Sequence, residues 1–200
     1  MNNKSFWNKY ASIYDKIIGN KINNDKLLNF ILKYVEKDDK LLEAACGTGA
    51  FTILLSPHVK KIMAFDYSNE MIKKAKNKSK NLENITYFSG DLNKINYDDN
   101  YFDVGLAANV LHLLDTPEIA INELKRVVKN NGILIFPTYV KGNIFQRLML
   151  KSLKLFVFES HEWSENEYLS FLKNHDLEII NHDIFMVGQP LCVAIIKNIK

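Results

Sequence analysis

Glu43 closes the apolar run Leu41-Leu42 and is followed by the small-residue stretch Ala44-Ala45-Cys46-Gly47-Thr48-Gly49-Ala50; Asp66 stands nineteen positions beyond Gly47. Small residues let a backbone approach a ligand closely. A helix opening directly after them presents unpaired N–H groups to acceptor or anionic atoms. An acid at this distance, at the end of the second strand of a βαβ unit, is placed to grip a ribose diol; its competing role is to help start the helix that Ser68 caps. A third acid, Asp91, follows Gly90, which permits an unusual backbone angle. Gly105, Ala107, Ala108 and Asn109 form a small-residue exit with room for a ligand. The pattern is a nucleotide-binding plan, although a small-Gly-x-Gly turn also closes ordinary βα units.

These residues require strands that end together. Leu41–Glu43, Ile62–Phe65, Ile85–Ser89, Phe102–Ala108 and Ile133–Phe136 read as five strands. Between them, helical spacing runs from Phe51 to Leu55, from Ser68 to about Lys80 with Met71, Ile72 and Ala75 inward, and from Pro117 until Asn130-Asn131-Gly132 stops it. The order predicts an α/β fold: a doubly wound, mostly parallel sheet with helices on both faces, whose ligands bind beyond the carboxyl ends of the strands. Upstream, Phe6, Trp7, Tyr10, Ala11, Tyr14, Ile17 and Ile18 form an aromatic stripe. A second helix is predicted from about Asn24 to Glu36, capped by Asn23 or Asn24. Downstream, Ser164 and Glu167 make a capping box for a helix to about Asn174, and Leu177–Ile184 and Leu191–Ile196 pair through Gly188-Gln189-Pro190. In residues 142–158, Phe145, Leu148, Met149, Leu153, Phe156 and Val157 share a helical face: packed core, a lid over an apolar substrate, or a basic amphipathic helix touching a membrane surface.

Two hundred residues with 47% hydrophobic content can bury the core of one domain. We divide it into an N-terminal helical cap (1–39), a core (40–138), a lid or substrate insertion (139–163) and a C-terminal helix with a strand pair (164–200). The net charge of +3 comes almost wholly from Lys, with Arg only at positions 126 and 147, which argues against a nucleic-acid footprint. Cys46 and Cys192 are too few for a disulfide framework or a four-thiolate metal site. No run has signal-peptide or bilayer-spanning length, so a cytoplasmic location is expected.

The ordered motifs resemble those of class I S-adenosylmethionine-dependent methyltransferases of the small-molecule, ubiquinone-biosynthesis-like type, closely over residues 6–136 and loosely beyond. Leu42-Glu43-Ala44-Ala45-Cys46-Gly47-Thr48-Gly49 resembles the motif whose backbone contacts the methionine part of the cofactor. Ala45 departs from it, standing where many members have Gly. By the same resemblance Asp66 binds both ribose hydroxyls, with Tyr67 and Met71 flanking the adenine. Asp91 reads the adenine amine with the Leu92 amide, Asn109 lies beneath the methionine amine, and the segment around Tyr10 and Tyr14 folds over the cofactor. The resemblance further implies a seven-stranded Rossmann-like sheet with the last strand antiparallel between the fifth and sixth, and S-adenosylhomocysteine as product.

The sulfonium activates its own methyl group, so the protein has mainly to align a nucleophile and exclude water. A phenol of pKa about 10 would benefit from a base. His112 is the candidate, with Tyr14 and His161 behind it and packing or capping as the competing role for each; Tyr10, His112 and Tyr139 are expected to face the acceptor. Val110-Leu111-His112 in place of a Pro-Pro-aromatic turn, and the lack of a Pro-Cys pair, disfavour nucleic acid. With Asn109 where clustered acids would hold a metal, a metal-free reaction on a small-molecule or lipid-like acceptor is expected. A nicotinamide-dependent oxidoreductase would need Gly-x-Gly-x-x-Gly, which this loop lacks; a non-catalytic cofactor- or partner-binding module stays open.

Overall fold

Helix α1 (Asp25–Ile31) starts where a cap allows it to. Asn24 is extended, and its side-chain oxygen accepts hydrogen bonds from the Lys26 and Leu27 amides. The helix is shorter than its periodicity predicts, tightening into a 3-10 turn at Leu32–Tyr34 before Val35 turns extended. The computed structural model describes residues 4, 5, 7–9, 11, 22, 24–141 and 163–200. Tyr10, Tyr14, His161 and the predicted helix at 142–158 lie outside these.

Seven strands follow: β1 (Lys40–Ala44), β2 (Lys61–Asp66), β3 (Ile85–Ser89), β4 (Phe102–Ala107), β5 (Val128–Tyr139), β6 (Glu178–Met186) and β7 (Pro190–Lys197). They form one sheet in the order β3-β2-β1-β4-β5-β7-β6. The first five positions are parallel, and β7 runs antiparallel to both β5 and β6. Central β1 is buried on both faces, which is why it reads as a nearly continuous apolar run. Successive side chains of a strand alternate faces. Leu42 and Ala44 accordingly join the cluster containing Ile121 and Leu124 of α4 (Pro117–Val127) and Leu172 of α5 (Glu165–Asn174). Leu41 joins the cluster containing Leu27 and Ile31 of α1, Phe51 and Leu55 of α2 (Ala50–Leu55) and Ile72 of α3 (Asn69–Lys78). Glu43 therefore shares its face with α2 and α3. Ser68 caps α3 by accepting from the Met71 amide, and the predicted capping box of α5 is formed, with both Ser164 and Glu167 side chains bonded to each other's backbone. No helix among the described residues is long and apolar enough to cross a membrane.

Three sequence expectations are corrected. Asn130-Asn131-Gly132 does not stop α4. The helix ends at Val127, the strand begins with β-branched Val128, and the Asn-Asn-Gly stretch is a bulge where the β4–β5 register slips between Phe102↔Val128 and Val104↔Ile133. Asn131 takes φ 64° there, and Asn198 supplies the donor that ends the helix: its Nδ2 donates to the carbonyls of Lys125, Val128 and Lys129 at 2.9, 2.9 and 3.0 Å. Gly90 has no left-handed φ; a Cβ there would lie 2.9 Å from the Phe65 ring, so it is small for packing. Gly105 likewise leaves no room for a ligand, because a Cβ would meet Leu134 and Val128 at 2.8 Å each.

Candidate functional site

The carboxyl ends of β1, β2, β3 and β4 bring together the glycine loop, Asp66, Asp91 and Asn109, as the parallel register requires. The loop leaves β1 through Ala45 at φ 55°, then Gly47 at 54° and Gly49 at 82°. Ala45 pays the Cβ cost of a left-handed conformation that a glycine would avoid, which is where its departure from the family pattern acts. The Cys46 amide donates to Phe65 O and the Gly49 amide to Cys46 O, each at 2.9 Å, folding the loop back on itself and onto the end of β2.

Asp66 is the clasp of this arrangement. One carboxylate oxygen accepts from the Gly47 amide and the other from the Ser68 amide, both at 2.8 Å. The helix-starting role foreseen for it is thus present, and a second tie, to the loop, accompanies it. Each oxygen keeps a further lone pair for a hydroxyl donor. Burial raises the Asp66 pKa, and the two amide bonds pull it back down.

Around the clasp, Tyr67 is 36% exposed whereas Met71 is 1% exposed and Leu92 is buried beneath the surface. Asp91 is exposed, and its carboxylate accepts from the Asn93 amide at 2.9 Å, ordering the turn after β3. Asn109 adopts φ 53°. Its amide donates to Pro137 O at 2.8 Å and its side-chain oxygen accepts from the Tyr139 amide at 3.0 Å, so it stitches the exit of β4 to that of β5. His112, in the 3-10 turn Leu111–Leu113, is half-buried and edge-on to Trp163 with ring centroids 6.4 Å apart. Half-buried Tyr139 has its hydroxyl pKa raised by burial.

Glu43, a member of the motif that the resemblance assigns to the cofactor, lies inside the protein. It is 2% exposed, its carboxyl accepts a hydrogen bond from the Thr52 hydroxyl of α2, and burial pushes its pKa up to about 8 against the pull of that bond. Thr52 was missed in the sequence, although a lone hydroxyl on the buried face of Phe51-Thr52-Ile53-Leu54-Leu55 was the available signal. Asn8 was also missed. Its side-chain oxygen accepts from the Ser68 hydroxyl at 2.7 Å and the Glu70 amide at 3.4 Å, and Lys4 lies 5.4 Å from the Tyr67 ring centre, which seats the N-terminal helical residues beside Asp66. Lys78 reaches the Thr48 hydroxyl at 3.0 Å across the loop.

A hollow of about 520 Å³ between Lys94, Tyr101 and Arg126 lies elsewhere. Arg126 is already engaged there by Glu123, Asp99 and the carbonyls of Ile95 and Tyr97, so this is a structural clasp. Among the described residues no group of three or more His, Cys, Asp or Glu is placed to hold a metal ion.

A strand order of this kind, with a glycine loop after β1 and an acid closing β2, defines an adenosyl-cofactor-binding α/β protein. Residues 42–136 match a family model described as a methyltransferase domain. A demethylmenaquinone methyltransferase of Staphylococcus carnosus is 29% identical over 166 residues, 73% of this chain and 67% of that protein. An uncharacterized methyltransferase of Schizosaccharomyces pombe is 32% identical over 113 residues, 52% of this chain and 41% of that protein. A SAM-dependent methyltransferase from Aquifex aeolicus superposes with a TM-score of 0.72 at 21% identity, over 94% of this chain and 98% of that one. The [4+2]-cyclase SpnF also superposes, with a TM-score of 0.69 at 16% identity over 86% and 80% of the two chains, so the fold alone leaves the reaction open. Together these make residues 42–136 similar to a methyltransferase domain, on a fold shared with S-adenosylmethionine-dependent methyltransferases.

Proposed function

We propose that this chain transfers the methyl group of S-adenosylmethionine to an oxygen, nitrogen or carbon nucleophile of a small-molecule or lipid-like acceptor by in-line displacement. The observation that carries the reading is Asp66, a half-buried carboxylate held at the exit of β2 by two amides, with lone pairs remaining for a vicinal diol. The donor set fits the cofactor. Asp66 would hold the ribose hydroxyls, Asp91 with the Leu92 amide the adenine amine, Tyr67 and Met71 its ring faces, and Ala45, Gly47 and Gly49 the methionine end. Glu43 and Asn109 would complete that end, with Tyr14 closing over it.

When bound, the cofactor supplies an electrophilic methyl group carried on a positively charged sulfur. The chain's own work is alignment and exclusion of water, worth roughly 7 to 11 kcal/mol when the reacting atoms are well oriented. His112 stands three residues beyond Asn109, where a proton leaving a phenol would be taken up, and Tyr139 is tied to the same exit. The Staphylococcus relative is named for demethylmenaquinone, so apolar aromatic acceptors bearing a hydroxyl are the first class to try. Both cysteines are free and buried, in keeping with a reducing cytoplasm.

Thermal unfolding tests the cofactor half of the reading: S-adenosylmethionine and S-adenosylhomocysteine should raise Tm and NAD should not. Absence of any shift at millimolar cofactor would overturn it. Mass-detected methylation of phenolic, amine and lipid-like acceptors tests the other half; binding without turnover on every class would favour a non-catalytic module.

A further inference from the structure

Ser68 is fully buried although it starts a helix whose outer face is exposed, and each of its polar groups has its own partner. Its amide donates to Asp66 at 2.8 Å and its carbonyl accepts from the Ile72 amide at 3.1 Å. Its hydroxyl oxygen accepts from the Met71 amide at 3.2 Å, and its hydroxyl proton goes to the side-chain oxygen of Asn8 at 2.7 Å. The same Asn8 oxygen faces the Glu70 amide at 3.4 Å. That amide can only donate, so chemistry fixes which end of the Asn8 carboxamide points here.

Two of the first amides of α3 are thus capped by side chains, one by Ser68 itself and the other from 62 positions upstream. Caps are ordinarily drawn from the adjoining residues. Since α3 already has its own cap in Ser68, the tie to Asn8 serves to hold the N-terminal turn down. Residues 4, 5 and 7–9 are helical, and positions four apart share a face. Lys4 and Asn8 are such a pair: Lys4 Nζ lies 5.4 Å from the Tyr67 ring centre, while Asn8 holds Ser68 and Glu70. One face of this turn therefore lies on residues 67–70, the stretch that leaves Asp66, and Ala11, which is 1% exposed, anchors its far end.

We propose that Asn8 is a latch that governs passage of the cofactor: with Asn8 on Ser68 the turn covers the approach to Asp66, and the turn lifts to admit or release the adenosyl part. This rests on the cofactor reading above; Asn8 is a positioning residue that acts through Ser68. Two neutral hydrogen bonds and a surface cation–π contact each contribute little net stability, which suits a tie that breaks and remakes thermally. Cofactor enters and leaves through the lifted state, so both rates scale with the population of that state.

Surface plasmon resonance on the whole chain, with S-adenosylhomocysteine injected, reads the two rates separately. Asn8→Ala loses both hydrogen bonds and should speed association and release alike, each about tenfold, leaving Kd within about threefold of wild type. Lys4→Ala should speed both about twofold. Asn8→Asp keeps an acceptor for Ser68 and Glu70 and should return both rates to within about twofold of wild type. Faster release with unchanged association would mean that Asn8 merely props up the site, and would overturn the latch. So would unchanged rates in Asn8→Ala, or an acceleration in Asn8→Asp equal to that in Asn8→Ala. Each of these leaves the cofactor reading standing; only failure of the wild type to bind overturns both.

Discussion

Replacing Glu43 by Gln should stabilise the cofactor-free protein at alkaline pH and have little effect at acid pH. In the folded state the Glu43 carboxyl is pushed from an ordinary 4.5 to about 8, chiefly by burial. Between those values the folded protein holds a proton that the unfolded chain has lost. The unfolded state therefore binds fewer protons, and stability falls as pH rises from about 4.5 to about 8. At about 1.4 kcal/mol per tenfold change in proton affinity, the loss approaches 5 kcal/mol at most, and relaxation around the charge would reduce it to about 2 to 5 kcal/mol. Glutamine is nearly isosteric, can still accept from Thr52 and does not titrate. Urea unfolding of both proteins at pH 5, 7 and 8.5 reads the difference directly, and subtracting the two curves removes the contribution of Asp66, whose pKa is also raised by burial. Parallel curves across this range would refute the reasoning, since they would mean that Glu43 pays no penalty for its charge.

Asp66→Ala should weaken S-adenosylhomocysteine binding by about 1.5 to 3 kcal/mol, the range for a charge-accepted hydrogen bond, and unchanged affinity by calorimetry would remove its ribose role. Gly105→Ala should cost about 1 to 3 kcal/mol of stability by overpacking, because its Cβ would meet Leu134 and Val128 at 2.8 Å; a neutral result in urea unfolding would reinstate space at the β4 exit. Tyr168→Phe should destabilise by about 1 to 2 kcal/mol, since the fully buried hydroxyl donates to Phe136 O at 2.9 Å and that carbonyl would lose its partner. A thermal scan that leaves Tm within error of wild type would show that water replaces it.

Much of the sheet was legible because burial writes itself into local pattern. The strands around Leu41–Glu43, Ile62–Phe65 and Ile85–Ser89 are apolar runs bounded by turn residues, and the caps Asn24, Ser68 and Ser164 announce helix starts by chemistry confined to a few neighbouring positions. The helix end at Val127 was illegible for the opposite reason. Asn130-Asn131-Gly132 is a stop signal in isolation, yet Asn198, about seventy residues away, reaches the last carbonyls and turns that stretch into a bulge in β5.

The sequence by itself determined the small-residue loop between Glu43 and Gly49, the acid that ends the second strand, and the order of elements that sets the two side by side. These depend on residue type and spacing along the chain. Only the tertiary structure decided what each acid does. It put both Asp66 oxygens on backbone amides, drew Glu43 under the loop onto Thr52, and set the Tyr87 hydroxyl of β3 against Ser79, which caps the end of α3. Hydrogen bonding and desolvation act over a few ångströms in space, and the residues that share those ångströms here come from elements far apart along the chain.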